Sequence, residues 1–125
     1  MNNIDISNCA VNIDKRLIPN RIGIALFSYG LNEFYNAFSY LKSVLLYTFS
    51  KNDLSKSMIK EAMLAAAKYH NLTNKSIVTS LSKLYDKLHK DFFITSPLFS
   101  KIKMNCYHKT QFIAEKVLKD IQISR

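Results

Sequence analysis

An all-α domain of five to six helices is the fold that the sequence predicts, and three observations predict it. Apolar residues recur at spacings of three and four along most of the chain. Only two glycines and two prolines interrupt 125 residues. Leu, Ala, Lys, Ser and Asn dominate, a composition that favours helices joined by short loops. A hydrophobic share of 48% argues against a disordered chain. The length suits one compact domain able to bury a core.

Residues 1–18 alternate weakly at Ile4, Ile6, Val11 and Ile13. They read as an N-terminal arm with little structure of its own, or one short strand. The helical domain then occupies residues 19–125, with Pro19-Asn20 as its start signal. From Arg21 to Phe49, the residues Phe27, Leu31, Phe34, Phe38, Leu41 and Leu45 share one helical face. A second row (Leu26, Ala37, Tyr40, Val44, Tyr47) widens the stripe, which predicts a central helix packed on two sides. Gly30 either divides this stretch into two helices or permits close packing.

Ser50 to Asp53 is a polar turn, with Ser50 or Asp53 as N-cap of the next helix. That helix spans Leu54 to His70, with Met58, Ala62, Ala65, Ala66 and Tyr69 inward. Asn71 to Asn74 form a tight turn, and Thr73 caps a helix running to about Lys90. Ile77, Leu81, Leu84, Tyr85 and Leu88 point inward from it; Lys75, Thr79, Ser82, Lys83, Asp86, Lys87 and Lys90 point outward. Residues 91–109 are less regular, with Ser96-Pro97 suited to opening a short helix docked by Leu98-Phe99. Thr110 to about Ser124 is a final amphipathic helix, with Phe112, Ile113, Val117 and Ile121 on or near one face.

The net charge of +9 is unevenly spread. Residues 1–50 hold four basic and three acidic side chains, whereas residues 51–125 hold fourteen basic and six acidic. The excess therefore surrounds the helix pair at residues 54–90, and it suits a polyanion, nucleic acid above all. Cys9 and Cys106 form no CxxC pattern and no disulfide framework, which points to a reducing compartment such as the cytoplasm. No signal peptide and no membrane span is read: the longest greasy stretch, Ile22 to Phe49, is broken by Asn32, Glu33, Asn36 and Lys42.

A helix-turn-helix needs a small residue where its helices cross, a residue that turns sharply, and an apolar lock on the second helix. Ala67, Asn71 and Ile77 meet these needs at the required spacing, with Leu72 burying into the joint. An ordinary αα-hairpin would use the same residues. On the helix-turn-helix reading, Thr73, Asn74, Lys75, Thr79, Ser82, Lys83 and Lys87 are the DNA-binding side chains. The lysines and helix N-terminal amides hold phosphate, Asn74 reads adenine, and the hydroxyls meet base edges. No arginine stands on this helix, so the commonest guanine contact is missing.

Catalytic chemistry finds little support, and no enzyme, metal or cofactor is expected. His70, His89 and His108 are scattered, Cys106-x-His108 falls short of a metal set, and no Gly-rich phosphate loop exists.

The run Ala66-Ala67-Lys68-Tyr69-His70-Asn71-Leu72-Thr73, followed by Ile77 and Leu81, resembles the helix-turn-helix of a known family. That family is the C-terminal DNA-binding effector domain of the sporulation-initiation (stage zero) response regulator of endospore-forming bacteria. Ile94-Thr95-Ser96 with Leu98-Phe99 is similar to the family's serine-leucine-phenylalanine turn, and Thr110-Gln111-Phe112-Ile113-Ala114 to the start of its last helix. Ile18-Pro19 and Ile22 resemble the domain's entry, so the likeness covers roughly residues 17–122.

The resemblance implies a double-stranded DNA-binding transcription regulator in a bacterial cytoplasm, a homodimer paired through the last helix, here Thr110 to Ser124. The family reads bases with a glutamate and arginines; the matching positions here are Val78, Thr79 and Ser82. Ser100 stands where the family has glycine. The residues ahead of Ile18 are too few for the receiver domain that precedes the family's effector domain. The alternative is a helical protein-interaction module that kept the fold without base readout. Its partner would be a regulatory protein, or a nuclease that it inhibits as part of a mobile element.

Overall fold

Residues 17–96, 98, 99 and 103–123 are described by the computed structural model. They form five helices and no strand: α1 (Ile18–Ser28), α2 (Asn36–Ser50), α3 (Lys56–Tyr69), α4 (Asn74–Tyr85) and α5 (Cys106–Ile123). The all-α class is as the sequence predicts. The arm assigned to residues 1–18 lies outside the described residues, except that Leu17 precedes α1 and Ile18 begins it.

Three helices end by one device. After α1, Gly30 takes φ 103° while Gly30 N–H donates to Phe27 O and Leu31 N–H to Leu26 O. After α2, Asn52 (φ 54°) donates to Phe49 O and Asp53 N–H to Thr48 O. After α3, Asn71 (φ 58°) donates to Lys68 O and Leu72 N–H to Ala67 O. Each is a Schellman turn, which satisfies orphan carbonyls and needs a residue tolerant of the left-handed region. Glycine and asparagine are those residues. The buried pair Leu26 and Leu31 seals the first turn, and half-buried Leu72 packs on the core beside the third.

Gly30 therefore divides the long stripe into two helices, and the division changes which side chains point inward. The 4-3-4 spacing across residues 27–45 counts through residues that are not helical. α1 buries Ile22, Ala25 and Leu26, leaving Phe27 65% exposed, and Phe34 in the loop is 86% exposed. From Phe38 onward the stripe holds: Phe38, Leu41, Val44, Leu45 and Phe49 are buried. α2 packs against α1, α3 and α4, as a helix apolar over much of its girth should. Each fully buried Leu, Ile or Met contributes roughly 1.5–3 kcal/mol of transfer free energy.

On α3 the inner face is rotated by one residue from the expected one. Ile59, Ala62, Met63, Ala66 and Ala67 are buried, whereas Met58 and Ala65 are half-buried and Tyr69 is 79% exposed. The small residues at 62, 66 and 67 let α2 and α4 approach. The cap of α3 is Ser55, whose hydroxyl accepts from Met58 N–H at 3.2 Å. Ser50 instead ends α2, and the Asp53 carboxylate accepts from Ser55 N–H.

α4 ends at Tyr85, short of Lys90. Its continuation is a tighter turn in which Lys87 N–H reaches Leu84 O and Leu88 N–H reaches Tyr85 O. That turn keeps Leu88 buried. No helix opens at Ser96 among the described residues; its hydroxyl accepts from Leu98 N–H at 3.3 Å in a local turn. Phe92, Phe93 and Phe112 stack edge to face or tilted, with centroids 5.1–5.6 Å apart, and tie this segment to α5. α5 starts four residues ahead of the expected Thr110. Asn105 supplies its cap, Oδ1 accepting from His108 N–H at 2.9 Å.

Candidate nucleic-acid interface

α4 is clamped along one side and open along the other. Ile77, Leu81, Leu84 and Tyr85 are buried, with Leu88 beyond them. Lys75, Thr79, Ser82, Lys83, Asp86 and Lys87 are all exposed. This inside-outside division is the one that the periodicity predicts. The helix begins where Thr73 Oγ1 accepts from Ser76 N–H at 3.1 Å, and no acidic residue stands in its first turn. The N-terminal partial positive charge of α4 is thus not neutralised from within its first turn.

The candidate residues fall into three groups. Lys75, Thr79 and Lys83 form an exposed ridge on α4, and exposed Lys87 follows in the turn after it. Thr73 and Asn74 are tied to the turn: the Thr73 hydroxyl also donates to Ser76 Oγ, and Asn74 Oδ1 is buried without a hydrogen-bond partner. Half-buried Asn74 therefore presents at most its amide nitrogen outward, which is one half of a bidentate adenine contact. Ser82 is exposed but lies beside Cys106 at the start of α5.

The two flanks of α4 differ. On one side the α5 N-terminus approaches, and Cys106 Sγ donates to Val78 O at 3.7 Å. Burial pushes the Cys106 thiol up, with the Ser82 and Thr110 hydroxyls and Lys109 opposing the shift. Tyr85 Oη lies 2.5 Å from Thr110 Oγ1, and Thr110 Oγ1 donates to Cys106 O at 2.8 Å. A threonine hydroxyl has one proton, so Tyr85 is the donor to Thr110. Burial holds that phenol well above its usual value. On the other side, a groove of about 380 Å³ separates α4 from the α1–α2 loop. Phe34, Tyr35 and Tyr40 face Lys83 and Lys87 across it, and Lys87 Nζ stands 5.6 Å from the Tyr35 ring centroid. The helical count had placed Phe34 in the core, so this aromatic wall was not legible in the sequence.

The histidines have structural partners. His70 Nε2 lies 2.9 Å from Ser43 Oγ and its ring stacks with Tyr40. His89 Nε2 is 3.3 Å from Ser28 O, and His108 Nδ1 accepts from Asn105 N–H. Among the described residues no group of three His, Cys, Asp or Glu is placed to hold a metal. No described helix is long and apolar enough to cross a membrane. The apolar face of α5 is fully engaged within the chain: Ile113, Ala114, Val117, Leu118 and Ile121 are buried. A pairing of two copies through this helix would use residues outside that buried row.

Comparison of the chain with protein-family models, with curated proteins and with solved structures finds no match.

Proposed function

We propose that this chain binds double-stranded DNA through α4 and acts as a transcription regulator, akin to the sporulation-initiation effector domain but without its base readers. The observation that carries the reading is the ridge of Lys75, Thr79 and Lys83, continued by Lys87 in the turn after α4. It stands exposed on a helix whose opposite side is locked in the core. Supporting it are buried Ala67, left-handed Asn71 and buried Ile77 at the positions that a helix-turn-helix requires. Lysines on such a ridge hold phosphates, and the short hydroxyls add little sequence choice, so the specificity is relaxed.

The test is fluorescence anisotropy with duplex DNA at several salt concentrations. Three phosphate contacts give a log–log salt slope of about −2.7, so affinity falls about 40-fold between ~50 and ~200 mM salt. Lys75→Glu, Lys83→Glu and Lys87→Glu combined abolish binding while helicity persists, because all three side chains are exposed. Wild-type protein that ignores duplex DNA at low salt refutes the proposal.

A second reading, a helical protein-interaction module, is favoured by one observation. Of the three positions matching the family's base readers, Val78 packs on the core and Ser82 lies beside Cys106. A stoichiometric protein partner retained by the triple glutamate variant would establish that reading instead.

A further inference from the structure

α1 and the loop after it leave three large apolar side chains in solvent: Ile24 at 67%, Phe27 at 65% and Phe34 at 86% exposure. Together they present on the order of 400 Å² of apolar surface. A patch of that size on a single chain often marks an interaction site. The three line one groove of about 660 Å³, floored by buried Phe38. Phe34 is presented by an ordered turn. Asn32 Oδ1 accepts from Phe34 N–H at 2.9 Å and Asn32 O from Tyr35 N–H at 3.1 Å.

The charges at the groove are self-complementary. Glu33 and Lys42 both border it, and neither has an ion-pair partner among the described residues. Lys42 reaches over α1, its Nζ 3.8 Å from where a Cβ on Gly23 would stand. An isologous contact across the groove can set Glu33 of one copy against Lys42 of the other, twice. The groove lining holds one acidic and one basic side chain, Glu33 and Lys42, so two copies meet here without net charge repulsion from the lining.

We infer that this groove is a homodimer interface, filled by the same groove of a second copy of this chain. The contact is isologous, with Phe27 and Phe34 of each copy covering the other's groove. Two such patches bury on the order of 800 Å² of apolar surface, below the standard interface size and in the range of weak association, so the dimer dissociates in the micromolar range, ~1–100 µM. The inference is independent of what α4 binds, and its readout is oligomeric state.

Sedimentation velocity of the full chain from ~2 to ~500 µM should show a monomer–dimer equilibrium. Phe27→Asp and Phe34→Asp should each weaken it about tenfold or more without loss of helicity, since both rings are exposed. Glu33→Lys or Lys42→Glu should weaken it, and the double exchange Glu33→Lys/Lys42→Glu should restore it. Cross-linking from a photoreactive residue in place of Phe27, in mixed heavy- and light-isotope protein, should join two copies. A monomer throughout overturns the inference. So does a dimer indifferent to the aspartates, or cross-links from Phe27 only to residues 1–16 of its own chain.

Discussion

One buried hydroxyl relay ties the end of α4 to α5, and replacing Thr110 by valine isolates its contribution. Tyr85 and Thr110 are both buried, at 4% and 0% exposure, so no water can substitute for a lost partner. Thr110→Val keeps the volume and removes the acceptor that lies 2.5 Å from Tyr85 Oη. Cys106 O loses only a supplementary donor, because within α5 it also lies in the helical ladder. The cost is that of an orphaned buried phenol, about 1–3 kcal/mol. Tyr85→Phe leaves Thr110 bonded to Cys106 O and costs about 1 kcal/mol. With both changes no donor is stranded, so the double variant costs less than the sum by about 1–2 kcal/mol. Urea denaturation followed by circular dichroism measures all three against wild type. A Thr110→Val penalty below ~0.5 kcal/mol, or additivity within that margin, would refute the assignment of Tyr85 as donor.

Two further outcomes are expected. Asn71 at φ 58° should tolerate glycine nearly neutrally, while Asn71→Ala costs about 1 kcal/mol and Asn71→Val more, measured by the same denaturation. Burial pushes the Glu115 carboxyl above its ordinary value, so the folded state holds its proton to higher pH than the unfolded state does. Stability contributed by that group is present below the ordinary glutamate range and declines as pH rises through the folded value. Glu115→Gln should flatten that segment of a stability–pH profile; an unchanged slope contradicts the expectation.

The parts of the fold legible in the sequence are those where one helix supplies its own phase. On α4, capped by Thr73, every outward and inward assignment holds, because the count begins at a cap and meets no break. Across Gly30 the count fails, since a left-handed residue resets the phase and residues 32–35 follow no helical period. Phe27 and Phe34 were therefore expected inside and lie outside. On α3 the error is a single 100° step, which alanine-rich sequence does little to prevent: Ala65 and Ala66 are equally apolar, and only packing against α2 distinguishes them. Asn105 as the cap of α5 was open to sequence reasoning, since asparagine favours that position, but the apolar period starts clearly only at Thr110.

The same distinction explains why the scaffold of the candidate site was easier to read than its contacts. Ala67, Asn71 and Ile77 answer to the protein's own packing, so their types are constrained by geometry within the chain. Lys75, Thr79 and Lys83 are exposed, so packing within the chain does not fix their types. On the reading proposed above, each copy offers phosphate contacts and few base contacts, so one copy discriminates poorly among DNA sites. Pairing through the α1 groove alters that balance without adding a base reader. Two half-site contacts held at fixed separation act at a high effective concentration, and a site with the wrong spacing engages only one of them. Spacing between half-sites would then carry selectivity that Val78, Thr79 and Ser82 do not. Disrupting the groove with Phe27→Asp, at a position away from Lys83 and Lys87, should accordingly reduce discrimination by half-site spacing more than it reduces binding to a single half-site.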